Sequence, residues 1–193
     1  MTSVFEIKKL IETMAKTFDD FGNSAGLEGV GDVTKLDLIK FMMYLSASDG
    51  EIKWEEANFI SDVSGFNLNS QVIANFIKEN NIYSVEFEQT VPVSFDLAIK
   101  FDNRLYELDS INNDVDTPTL YISTYKTIGE LFKKTDGDSS YNENNDFKIY
   151  INMLEDYANK NSARRKNSVF GFTKNSGNTT VPSKSGVVAP KKG

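Results

Sequence analysis

The chain contains no cysteine and no histidine in 193 residues. Without them there is no disulfide, no thiol nucleophile, no Ser-His-Asp relay and no structural zinc site of the usual Cys/His kind. Any metal site must be built from oxygen alone. No apolar run approaches the ~20 residues that cross a bilayer. The opening MTSVFEIKKLIETM lacks the basic n-region and uninterrupted apolar stretch of a signal peptide. Missing cysteine is neutral about redox compartment, so a cytoplasmic location is the default expectation. Acids are absent from the end of the chain. Seven of the 21 Lys and Arg residues lie beyond Asn161, which leaves 14 in residues 1–160 against all 28 acids. The net charge of -7 is therefore an acidic body of -14 joined to a basic tail of +7.

What is present reads as helix. Val4, Ile7, Leu10, Ile11, Met14, Phe18 and Phe21 make a 3.6-residue stripe, and Ser3 with Glu6 has capping-box spacing. The polar flanks of that stripe mix Glu and Asp with Lys, which argues for packing on a core and against lying on a membrane. Gly22, Gly26, Gly29 and Gly31 read as a loop, but no strand precedes them and no G-K-[ST] closes them, so a phosphate cradle is disfavoured. A second helix is expected from Thr34 through Leu45, apolar over most of its circumference and hence central. Further helices are expected over 52–63 (with Trp54 packing at its start), after Asn69, from Phe95 to Leu108, after Pro118, and through Phe147–Tyr157. The stretch from Val85 to Val93 reads as a connection or short helix, because Pro92 argues against a strand. Asp109–Thr117 reads as an acidic, Asn-rich loop. The expectation is an all-α, compact bundle of about seven helices over residues 1–160, followed by a disordered basic tail over 161–193.

One pattern occurs twice. Leu45-Ser-Ala-Ser-Asp49-Gly50-Glu51-Ile52 is followed by Glu56 and Ile60, and Phe132-Lys-Lys-Thr-Asp136-Gly137-Asp138 by Glu143 and Phe147. Each is an apolar helix running into Asp-Gly, with Glu six residues after the Gly, and the copies stand 87 residues apart. The spacing equals positions 5, 6 and 12 of an EF-hand loop. Positions 1 and 3 would be Leu45 and Ala47, or Phe132 and Lys134, so an EF-hand is rejected. By elementary chemistry, Asp-Gly makes a helix-ending turn, and a Glu in the next first turn caps free N–H groups and complements the helix dipole.

These residues resemble the tellurite-resistance TerB-like family, which includes the helical domain of DjlA-type co-chaperones. Ala47-Ser48-Asp49-Gly50-Glu51-Ile52 with Glu56 matches the family's A-x-DG-x-I-x-x-x-E motif. Asp136-Gly137 with Glu143 matches its second DG…E less well, since Ser139 replaces an aliphatic residue. The resemblance covers roughly residues 20–160. It implies a compact seven-helix fold with no demonstrated catalytic activity, in bacterial stress response of the tellurite-resistance type. It also implies a divalent-cation role for clustered acids, here Asp49, Glu51, Glu56, Asp136, Asp138 and Glu143, with Ca²⁺ or Mg²⁺ as the hard cations concerned. The alternative is a protein-interaction adaptor whose turns are purely structural and whose tail recruits a partner. Convergent turns would favour the cation and opposed turns would remove its basis.

In the tail, Arg164, Arg165 and Lys166 form the densest basic cluster, with Phe170 and Phe172 as a short apolar anchor beside it. Anionic lipid, a partner protein, a plain linker and the chain's own acidic body all remain open as what this segment meets. A body of -14 repels phosphate, so specific nucleic-acid binding is not expected.

Overall fold

The computed structural model describes residues 4–108, 116–135, 137 and 140–167. Among these the chain forms eight helices and no strand: α1 Val4–Ser24, α2 Val30–Ser46, α3 Trp54–Ser64, α4 Ser70–Glu79, α5 Val85–Gln89, α6 Val93–Leu108, α7 Thr117–Phe132 and α8 Tyr141–Asn161. The all-α expectation holds. The eighth helix is α5, a single turn that Ser84 caps by accepting the Phe87 N–H at 3.1 Å.

α2 is the centre of the bundle. Leu38, Phe41, Met42 and Tyr44 are wholly buried and Met43 and Leu45 nearly so, because neighbours surround its C-terminal half. It begins at Val30, four residues earlier than its sequence suggests. Thr34 is not a cap: its hydroxyl donates to the Val30 carbonyl at 2.8 Å, inside the helix. Gly22 and Gly31 likewise belong to helices and not to the loop between them. Their lack of a side chain is what lets α1 and α2 lie close together. A Cβ on Gly31 would stand 2.6 Å from the Ala15 carbonyl oxygen. The Gly31 N–H instead donates to the Asp19 carboxylate at 2.6 Å, tying the two helices at their crossing.

Aromatic rings fill the space between α2, α7 and α8. Phe41 and Tyr150 have centroids 4.7 Å apart, Tyr121 and Tyr125 stack at 4.9 Å, and Tyr125 and Tyr150 at 5.9 Å. Such pairs add about 0.5–1.5 kcal/mol each beyond the area they bury. Helix ends follow local chemistry: Asn69 accepts from Val72 N at 2.9 Å, Asp116 from Thr119 N at 2.9 Å, and Gly65 ends α3 in the left-handed conformation at φ 76°. The segment expected to leave the domain at residue 161 does not do so. After α8 the chain makes one more helical turn over 163–167 against α6 and α7, so the ordered body reaches 167. The Ser3 cap, the loop over 109–115 and the tail beyond 167 lie outside the described residues.

Candidate functional site

The two Asp-Gly turns sit at the same end of the bundle. α2 ends at Ser46, and Gly50 takes φ 78°, a left-handed conformation that side-chain-bearing residues adopt only with strain. This reverses the chain so that α3 starts at Trp54. Glu56 is the third residue of α3. Its carboxylate is turned inward, 7% exposed, and accepts the Lys53 N–H at 2.8 Å. In the second turn Gly137 takes φ 81°, and Ser140 caps α8 by accepting the Glu143 N–H at 3.0 Å. Glu143 is 5% exposed and occupies the same third position as Glu56. The repeated Glu is in both copies a buried residue of a helix's first turn. That placement is what an N-terminal cap and a helix dipole ask of it.

One contact joins the turns. The Ser140 hydroxyl donates to the Asp49 carboxylate while its oxygen accepts from Glu143 N. Asp49 also pairs with Lys53 at 3.7 Å. Glu51 points away, exposed, into an open cleft of about 490 Å³ between the first turn and α4. The cleft has an apolar floor of Ala47, Ile52, Ala74 and Ile77, with Ser70, Gln71 and Tyr83 at its sides. Asp136 and Asp138 lie outside the described residues. Among the described residues no group of three or more acidic side chains is placed to hold a metal ion.

Tyr83 walls the cleft and donates its hydroxyl to Asp146 at 3.1 Å. Burial, together with the charges of Asp146, Glu88 and Asp49, pushes it up to about 12. It remains 45% exposed. Trp54 and Tyr141 open the two helices that follow the turns, each four residues after its glycine, and are 70% and 85% exposed. Trp54 therefore does not pack at the start of α3 as expected. The first residue of that helix points outward once Ile52 and Ala57 turn toward the body. The exposed end thus carries three aromatic rings and the carboxylates of Asp49, Glu51 and Glu55, with Lys53 paired to Asp49 and the exposed Lys134 on the second turn.

The tail candidates divide. Arg164 lies 5.2 Å from the Tyr106 ring and 3.7 Å from the fully buried carboxylate of Asp102. Arg165 donates to Asn159 at 3.1 Å and to Thr119 at 3.0 Å, with Glu155 at 3.9 Å. Lys166 is exposed. The first part of the basic segment therefore meets the chain's own acidic body. Phe170 and Phe172 lie outside the described residues.

A buried polar chain went unread in the sequence. Asp37 of α2 accepts from both the N–H and the hydroxyl of Ser94, at 3.0 and 2.6 Å, at the start of α6. Ser94 has one hydroxyl proton and gives it to the carboxylate, so Tyr121 donates to Ser94 and Tyr125, 3.2 Å away, to Tyr121. Burial raises the phenols of Tyr121, Tyr125 and Tyr150 above the usual tyrosine range. The available signal was an Asp in the middle of a mostly apolar helix and two Tyr at i, i+4 on one face. Comparison of the chain with family models, curated proteins and solved structures gives no match.

Proposed function

We propose that this is a non-catalytic, TerB-like helical interaction module in which the Asp-Gly…Glu turns are structural and the end they build docks a protein partner. The observation that carries the reading is the fate of the repeated glutamate. Glu56 is buried on the Lys53 amide and Glu143 is buried at the same position of its own helix. A carboxylate held this way completes a helix end and is not presented to a ligand. The described acids accordingly do not fit a resident Ca²⁺ or Mg²⁺, which takes six or more oxygens in close array. Asp49 is taken by Ser140 and Lys53, and Glu51 faces the cleft.

Support for docking comes from the rings. The chain's one tryptophan is 70% exposed, and Tyr83 and Tyr141 are 45% and 85% exposed. Trp and Tyr are the side chains most often found to dominate binding energy. The TerB-like resemblance of Ala47–Ile52 and Glu56 carries a stress-response role with it. Calorimetry with Ca²⁺, Mg²⁺ and Mn²⁺ tests the structural turns. We expect only heat of dilution from the native chain. Saturable heat that disappears in Asp49→Ala/Asp136→Ala would replace the structural reading with a cation site. Partner capture by the native chain and by Trp54→Ala tests the surface. Partners retained unchanged by the variant would refute it.

A further inference from the structure

We propose that the docking end has a ligand within the same polypeptide: the lysine-bearing stretch from Lys184 to Lys192 lies along the cleft beside the first Asp-Gly turn and competes there with an external partner. The inference rests on the reading of that end as a docking surface and adds what occupies it. Three observations carry it.

The first is charge. Glu51 lines the cleft, the exposed Glu55 and the Lys53-paired Asp49 flank it in sequence, and residues 1–160 as a whole carry -14. The chain beyond Asn167 carries four lysines and no acid. A lysine ammonium over an exposed indole such as Trp54 gains about 0.5–1 kcal/mol by cation–π attraction, in addition to pairing with carboxylates.

The second is shape. Val187-Val188-Ala189 is a short apolar run between Lys184 and Lys191. The cleft floor of Ala47, Ile52, Ala74 and Ile77 is apolar, and its volume of about 490 Å³ falls within the roughly 300–1,000 Å³ of ligand-sized sites.

The third is reach, which selects this stretch over the other apolar run in the tail. Arg164 and Arg165 fix the chain against α6, α7 and α8, and Asn167 ends beside Tyr106. That is the far end of α8 from Ser140. The helix has 21 residues, so the two ends stand about 30 Å apart. Phe170 and Phe172 follow Asn167 by three and five residues and extend at most about 18 Å, which falls short. Val187 and Val188, some twenty residues on, can span about 65 Å. Tethering gives such a segment an effective concentration of order millimolar, enough to populate a weak site without added ligand.

The chain's lack of cysteine makes the test direct. Gln71→Cys on the exposed wall of the cleft is paired with Ala189→Cys in the full-length protein, and intramolecular disulfide formation is timed in a redox buffer. The control pairs Ala189→Cys with Leu120→Cys, which is exposed at the start of α7, away from the turns. We expect the cleft pair to close about tenfold faster than the control pair, as docking raises the local concentration of one thiol at the other. Adding Lys184→Glu, Lys191→Glu and Lys192→Glu should remove that advantage, and these changes fall outside the folded core. Equal rates for the two pairs overturn the proposal, as does a product dominated by disulfide-linked dimer. Loss of partner capture in Trp54→Ala alongside equal trapping rates would leave the docking surface standing and remove the tail from it.

Discussion

Asp102 shows how one buried charge organises the end of the fold. Its side chain is fully buried, and burial raises its carboxyl above the usual range while Arg164 opposes that rise. It also accepts from Thr117 N at 3.4 Å, so it links α6, the start of α7 and the turn over 163–167. Removing the cation leaves an uncompensated buried anion, which costs about 3–5 kcal/mol in fully buried pairs. Arg164 is 22% exposed, so Arg164→Ala should cost less, on the order of 2 kcal/mol in urea unfolding at pH 7. The sign of the pH effect follows from the raised carboxyl. The charged form is the disfavoured one in the folded state, so the penalty of Arg164→Ala should shrink as pH falls toward 4 and Asp102 takes a proton. Arg164→Ala/Asp102→Asn should recover most of the loss at pH 7. Trp54 makes the opposite case. At 70% exposure, Trp54→Ala should change stability by less than about 0.5 kcal/mol, against roughly 3–5 kcal/mol for an aromatic in the core. A large loss in the same urea experiment would mean that the ring packs after all.

Helix ends are where this chain joins one element to another. The Asp37 carboxylate of α2 reaches the first turn of α6, and Ser94 passes the contact on to Tyr121 and Tyr125 of α7. Three helices are thus registered by one chain of hydrogen bonds in a region with little water. Asp37→Ala strands the Ser94 N–H and hydroxyl, each worth about 1–3 kcal/mol when buried without a partner. A loss of about 3 kcal/mol in denaturant unfolding is expected, with Asp37→Asn milder because an amide oxygen can still accept. The two Asp-Gly turns work in the same way. Each left-handed glycine turns the chain, each following Glu settles into a helix's first turn, and Ser140 binds the pair together through Asp49.

The raised tyrosines should give the fold an alkaline limit. Tyr44, Tyr121, Tyr125 and Tyr150 are raised by burial beyond the usual range, while Tyr83 and Tyr157 move up to about 12. In the unfolded chain these phenols lose their protons near pH 10. A group whose folded pKa is raised supports the fold fully below its unfolded pKa and loses that support as pH climbs toward the folded value. The melting temperature should therefore be flat from pH 7 to 9 and fall steeply above 10. Tyrosinate absorbance should rise together with loss of helical dichroism. Free titration of all eight tyrosines near pH 10 with the helices intact would contradict the burial.

The helical class, the central place of α2, the Asn69 and Gly65 helix ends and the paired Asp-Gly turns were legible from periodicity and local capping chemistry, because those effects act within four or five residues. The helix boundary at Val30 was not, since four glycines in ten residues signal a loop until two helices are seen to cross there. Neither was the turn over 163–167, whose polar composition argues for a free chain until Asp102, Tyr106 and Glu155 supply its partners. The site divides along the same line. Spacing alone marked Asp49, Glu51, Glu56 and Glu143, yet the same spacing serves a cation cage and a helix cap. Tertiary packing brings the two turns to one end, turns Glu56 and Glu143 inward, places Asp49 on Ser140 and leaves Trp54 and Tyr141 largely exposed. Which way a side chain faces depends on what lies across from it, and for these residues that neighbour is up to 91 positions away.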